Sequence, residues 1–226
     1  SLRFALIGGA ETPLALVERA LAARVPIYAS YGMTETASGV ATATPADLRD
    51  TADTVGRPVR AASVEILGEH EQPVDPGTVG EIAVSGPLVS PGSIDSVERT
   101  AGAAFRTGDR GFLTPAGQLV VTGRVDDLIV TGGENVSPRE VEHALLDLAG
   151  VDAAAVVGVP DETWGERVVA AVRTDGRDLQ TQRVREQLRG RLADHKLPKA
   201  VHVLEDLPRT ASGTVDRAAL RERLRD

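Results

Sequence analysis

The sequence predicts a mixed fold: an α/β piece first, a β-rich stretch after it, and a compact α+β unit at the end. Three observations carry this expectation. A strand–helix–strand pattern opens the chain, with an apolar run at residues 4–7, then Leu14, Val17 and Leu21 at helical spacing, then a second apolar run at 25–28. Between about residues 55 and 123, short apolar segments alternate with turns rich in Gly, Pro and Asp. Beyond Arg124, strand-like runs alternate with two patterns of helical period.

Taken in order, residues 4–7 end in Gly8-Gly9, and the helix following Pro13 returns the chain to a second strand, the crossover of a parallel sheet. The stretch from Arg3 to Gly9 starts so close to Ser1 that it reads as a fold entered midway. Residues 63–67 and 80–84 are expected strands on either side of a turn-rich 72–77, and Pro115-Ala116-Gly117 is the expected turn of a hairpin. Residues 128–130 form a further expected strand. Ser137-Pro138-Arg139-Glu140 is a capping-box sequence with proline at the first helical position. Its helix buries Val141, Ala144, Leu145 and Leu148. Strands at 153–157 and 168–172, a helix with Val184, Leu188 and Leu192 on one face, a strand at 201–204 and a short terminal helix complete the expectation.

The 226 residues are 42% hydrophobic, enough for the core of one large domain or two small ones. A net charge of −8 argues against a nucleic-acid surface, and no apolar run is long enough for a membrane span. No charged-then-apolar leader is visible at the start. The absence of cysteine excludes a disulfide framework or thiolate metal site and fits a reducing compartment, so a cytoplasmic location is expected. Only two of the 25 basic residues are lysines, Lys196 and Lys199.

Several short strings carry chemistry. Gly8-Gly9-Ala10 sits between strand and helix, where small residues let a flat ring approach the backbone, although a plain strand–helix turn explains it equally. Tyr31-Gly32-Met33-Thr34-Glu35 combines a stacking face, a hydroxyl for phosphate and a carboxylate suited to Mg²⁺; a plain polar loop is the alternative. Arg106-Thr107-Gly108-Asp109 reads as a tight turn whose carboxylate either accepts two ribose hydroxyls or closes an Asx turn. Gly123-Arg124-Val125-Asp126-Asp127 marks a boundary and suggests a hinge, against a solvated charge cluster. Gly132-Gly133-Glu134 offers bare backbone to a narrow channel, against an ordinary hairpin turn. His70, His143, His195 and His202 share no ligand spacing, and Trp164 is assigned to packing.

The order of these strings, completed by Pro208-Arg209-Thr210-Ala211-Ser212-Gly213-Thr214-Val215-Asp216, resembles the adenylate-forming superfamily of acyl-CoA synthetases, peptide-synthetase adenylation domains and luciferases. The resemblance runs from near Gly8 to Asp216. The string from Asp127 to Asn135 is most similar to AMP-forming acyl-CoA ligases of the 4-coumarate, o-succinylbenzoate and fatty-acyl type, which favours CoA over a carrier protein as acceptor.

The resemblance implies a carboxylate attacking the α-phosphate of ATP to give an acyl-adenylate and pyrophosphate, followed by displacement of AMP by the CoA thiol after a small C-terminal domain rotates. It implies Gly9 and Ala10 beside adenine, Tyr31 and Gly32 next to them, Thr34 on phosphate and Glu35 on Mg²⁺. Asp109 would take the ribose hydroxyls, Arg124 would lie near ribose or phosphate, and Asp126 would be the hinge. Gly132, Gly133 and Glu134 would line the pantetheine tunnel.

In the family's domain terms, residues 1–123 would be the C-terminal part of a large AMP-binding lobe (α/β piece 1–54, β-rich subdomain 55–123). Residues 124–226 would be the small mobile domain. The family's phosphate-binding loop and most of its acyl pocket have no counterpart here, so the chain looks like the C-terminal part of an enzyme about twice as long.

One departure stands in the last motif: where the family normally has Ser-Gly-Lys, this chain has Thr214. A neutral hydroxyl in place of that cation is expected to impair adenylation, since losing one preorganised electrostatic contact commonly costs about 10²–10³ in rate. A non-catalytic nucleotide- and CoA-binding module, and an adenylation domain serving a carrier protein, are the alternatives. Aromatic, aryl-succinyl and fatty acids are all compatible as substrate, and a homodimer is left open.

Overall fold

The computed structural model describes residues 2–9, 12–92, 103–176, 179–211 and 213–225. The chain divides into two compact units, Ser1–Val125 and Asp126–Asp226.

In the first unit, β1 (Ala5–Ile7) and β2 (Ile27–Tyr31) pair in parallel across α1 (Leu14–Ala22), the expected crossover. The buried face of α1 places Val17 against Ile27, Ala43 and Leu48. Next come β3 (Ala41–Ala43), α2 (Pro45–Asp50) and β4 (Thr54–Pro58), which have no counterpart in the sequence reading. α2 starts on a capping box: Asp47 N donates to Thr44 Oγ1 at 3.3 Å, and Thr44 N donates to Asp47 Oδ2 at 2.9 Å. The unit ends with β5 (Ser63–Leu67), β6 (Gly80–Ser85), β7 (Phe105–Leu113) and β8 (Leu119–Arg124). Among the described residues, these eight strands form one sheet in the order β1-β2-β3-β4-β8-β7-β6-β5. Val40, Ala41, Ile66, Ile82, Val84 and Leu119 form its central core.

The tight turn expected at residues 106–109 is not a turn; these residues lie inside β7. The register explains the misreading. Arg106 faces Ala83 and Arg110 faces Glu81, so Thr107, Gly108 and Asp109 together oppose the single residue Ile82. The extra residues are accommodated through Gly108, which adopts φ +71°.

The second unit contains β9 (Ile129–Thr131), β10 (Glu134–Val136), α3 (Pro138–Leu146), β11 (Val151–Asp161), β12 (Gly165–Thr174), α4 (Thr181–Leu188), β13 (Ala200–Val203) and α5 (Arg217–Arg223). β11 and β12 form a long antiparallel hairpin, and β13 adds to β12 in parallel. These strands are apolar on both faces because helices cover both. Val156, Val168, Ala170 and Val172 pack under α3 and α4 with Val141, Leu145, Val184 and Leu188. Val157, Val159, Val169 and Ala171 face Leu220 and Leu224 of the terminal helical segment.

Two local expectations fail here. The Ser137 side chain forms no cap hydrogen bond; Glu140 instead turns to Lys196, whose Nζ lies 2.7 Å from both carboxylate oxygens, a charged partner outcompeting a neutral amide. α4 ends at Leu188, and Gly190 at φ +83° takes the chain out of the helix, so Leu192 reaches the core from beyond it. Among the described residues, no helix is long and apolar enough to cross a membrane.

Candidate functional site

The first unit joins three of the expected residues. The bulge in β7 is held by Thr107, whose Oγ1 donates to Ile82 O at 2.9 Å and accepts from Asp109 N at 3.0 Å. This fixes the backbone under Asp109, which is 8% exposed. One carboxylate oxygen accepts from Tyr31 Oη at 2.7 Å and the other from Arg124 Nη1 at 2.9 Å. Arg124 arrives by register, since it is the cross-strand partner of Asp109 on β8. Burial, reinforced by the hydrogen bond to the Asp109 carboxylate and by its charge, pushes the Tyr31 hydroxyl far above its ordinary value of 10, so it stays a donor. The result is a buried carboxylate with a neutral donor on one side and a half-exposed cation on the other, able to accept from a diol once that cation moves.

Beyond Tyr31 the backbone turns sharply. A Cβ on Gly32 would lie 2.5 Å from the Ser38 carbonyl, so only glycine fits. Thr34 and Glu35 occupy a single 3₁₀ turn and both are exposed, while Thr36 is buried and its Oγ1 accepts from Met33 N at 3.0 Å. Glu35 is of the donor type that Mg²⁺ takes alongside substrate phosphates. Among the described residues, no cluster of three or more His, Cys, Asp or Glu side chains could hold a metal ion. Gly9 adopts φ +79° at the end of β1. Ala10 lies outside the described residues.

In the second unit, Gly132 and Gly133 are the two-residue turn of the β9–β10 hairpin, at φ +60° and +85°. Gly132 N donates to Trp164 O at 2.8 Å, and a Cβ on Gly132 would come within 2.9 Å of the Trp164 ring. Glu134 is exposed on β10. Trp164, assigned to packing from sequence, sits on the β11–β12 turn and is 46% exposed, with Lys199 Nζ 4.6 Å from its ring centroid. Asp126 is exposed at the boundary of the unit.

Thr214 belongs to a narrow loop before α5. Thr210 N donates to Thr214 O at 2.8 Å, and the two hydroxyls are 2.7 Å apart. Both lysines are engaged elsewhere, Lys196 with Glu140 and Lys199 over Trp164.

The sequence reading missed Thr107 as the brace of the bulge, although it lies in a quoted motif. It also missed the pairing of Glu142 with Arg217, which carried no short-range signal because the partners are 75 residues apart.

Residues 1–93 match the family described as AMP-binding enzyme, and residues 140–214 match the AMP-binding enzyme C-terminal domain. The 2-succinylbenzoate–CoA ligase of Oceanobacillus iheyensis is 36% identical over 95% of this chain and 45% of its own length. The indoleacetate–CoA ligase of Aromatoleum aromaticum is 39% identical over 98% of this chain and 44% of its own. The o-succinylbenzoate CoA synthetase of Bacillus subtilis, solved with ATP and magnesium ion, superposes with a TM-score of 0.85 at 33% identity, covering 97% of this chain and 46% of that one. The chain thus spans about half the length of the curated relatives it matches.

Proposed function

The chain belongs to the AMP-binding enzyme family, and on that premise we propose that it is part of an AMP-forming carboxylic acid–CoA ligase. The observation that carries the reading is Asp109: a buried carboxylate raised on a bulge, flanked by Tyr31 and Arg124, suits the 2′- and 3′-hydroxyls of an adenylate. In this reading ATP and the acid give an acyl-adenylate and pyrophosphate, and the CoA thiol then displaces AMP to give the thioester.

Asp109 binds and orients the nucleotide through its ribose, with Gly9, Ala10 and Gly32 allowing the base close to the backbone. Thr34 donates to a phosphate oxygen. Glu35 holds the Mg²⁺, which when bound neutralises phosphate charge. The second unit, which begins at Asp126 and not at Arg124, acts as a small domain turning about Asp126, and Gly132, Gly133 and Glu134 line the pantetheine path. Names of the relatives support CoA as acceptor and an aryl or arylalkyl acid as the class of substrate. Because ATP and CoA are both supplied in the cytoplasm, the enzyme works there.

Thr214 weakens the first half-reaction, because it offers a neutral hydroxyl already shared with Thr210 where the family normally places a lysine. Calorimetry of this chain with AMP tests the nucleotide site, and acyl-CoA formation by the intact enzyme tests the reaction. ATP–pyrophosphate exchange of the intact enzyme against its Thr214→Lys variant tests the weakening. Equal exchange rates would remove the role given to Thr214.

A further inference from the structure

Arg217, the first residue of α5, ties that helix to α3, to β11 and to the first residues of the second unit. Its Nη1 and Nη2 fork onto Glu142 of α3 at 2.6 and 3.1 Å, and Nη1 also donates to Val156 O of β11 at 2.8 Å. The Glu142 side chain is 9% exposed and accepts in addition from Val156 N at 2.7 Å, so the fork is seated in the core and its plane is set from three directions. The remaining edge of the guanidinium, Nε, lies 3.3 Å from Asp127 Oδ2.

Asp127 is the residue immediately after Asp126. On the other side of Asp126 the chain is also held: Val125 N donates to Gly108 O at 2.8 Å, and Arg124 is paired with Asp109. Both of those contacts lie within the first unit, while the Arg217–Asp127 pair lies within the second. Asp126 between them is exposed.

We infer that Arg217 is a positioning residue: by holding Asp127 on the frame made with Glu142 and Val156, it starts the rigid part of the second unit one residue past Asp126 and confines rotation to Asp126 itself. The inference rests on the proposed turning of the second unit. A pivot one residue wide has few soft dihedrals, and the reoriented unit then arrives in one pose instead of many.

Asp127 is the position at which to test this, because Arg217→Met strands a buried carboxylate and risks unfolding the unit. Asp127→Asn removes the charge at the Nε edge and leaves the Glu142 fork whole. Hydrogen exchange on the full chain is expected to quicken at the amides of residues 127–129 by about threefold, the scale of one partly exposed ion pair, with α3 and β11 unchanged and protection restored in Asp127→Glu. Unchanged exchange at 127–129 overturns the clamp, and so does equal quickening throughout α3 and β11. In the intact enzyme, Asp127→Asn is expected to lower kcat for acyl transfer to CoA several-fold with KM for CoA unchanged; proportional loss of both half-reactions overturns the positioning role. Should the wild-type enzyme form no acyl-CoA, the proposed reaction fails, while the exchange result still decides the clamp.

Discussion

Tyr31 and Asp109, 78 residues apart in the chain, share a hydrogen bond of 2.7 Å in which the phenol donates and the carboxylate accepts. Because burial keeps the phenol protonated, this bond persists across the whole physiological pH range, and the carboxylate it holds is also paired with Arg124. Two ribose hydroxyls on one carboxylate are each worth about 1.5–3 kcal/mol. Asp109→Ala is therefore expected to weaken AMP binding by more than about 100-fold. Tyr31→Phe, which removes only an orienting donor, is expected to weaken it by about 3–10-fold. Calorimetric titration with AMP reads both. Binding to Asp109→Ala within about threefold of wild type contradicts the assignment.

Gly132→Ala places a methyl 2.9 Å from the Trp164 ring at a residue with φ +60°. The backbone strain alone costs about 1–2 kcal/mol, and the ring must also move away. Since Trp164 is the only tryptophan, its fluorescence isolates this turn. A shifted emission together with a lowered Tm is expected; unchanged emission would mean that ring and turn are not in contact.

Asp47 anchors the start of α2 and reaches beyond it, accepting from Gln118 Nε2 in the β7–β8 turn at 3.0 Å and pairing with Arg57 of β4 at 3.4 Å. Hydrogen bonds from the Thr44 hydroxyl and amide, with Gln118 and Arg57 adding, hold its carboxyl below the ordinary value of 3.8. A carboxyl depressed in the folded state contributes stability above its ordinary value and loses it as pH falls through the folded value. Asp47→Asn is expected to lower stability by about 1 kcal/mol near pH 7, with the difference closing as pH falls through the lowered value. Urea unfolding at a series of pH values checks the convergence, and a gap that widens toward acid refutes it.

Glu142 is the buried partner of Arg217, and removing it takes away the carboxylate that holds both Nη groups and the Val156 amide, leaving Arg217 with Val156 O and the longer contact to Asp127. Glu142→Ala is expected to cost about 3–5 kcal/mol, read as a fall in the urea midpoint. A loss below about 1 kcal/mol would place the pair among the inconsequential surface bridges.

Local physics wrote much of the fold openly. The 3.6-residue spacing of Leu14, Val17 and Leu21 and of Val141 and Leu145 marks α1 and α3, and the glycine pair at 132–133 marks a hairpin that forms as such. The Ser137 box misled because a short-range signal met a long-range one: Lys196, in a turn 56 residues away, offered Glu140 a full charge. The Gly108 string misled for a related reason. Positive φ is shared by turns and bulges, and only pairing with β6, invisible in any local window, separates them. β3 (Ala-Thr-Ala) lacks large apolar side chains and β4 contains Gly56 and Pro58, so neither reads as a strand locally, and they are strands because neighbours on both sides supply their hydrogen bonds. Of the candidate site, the residues were legible but their assembly was not, since Tyr31, Asp109 and Arg124 meet only through the sheet.

The bulge in β7 also separates two kinds of information. Three residues stand opposite one, so the two surplus residues could be deleted and leave Arg106 and Arg110 flanking a single partner for Ile82, with every side chain before and after still on its proper face. Such a protein would lose Asp109 from its raised position and keep its sheet. At this strand the sheet's alternation and the raised carboxylate are therefore separable, and the scaffold does not depend on the site.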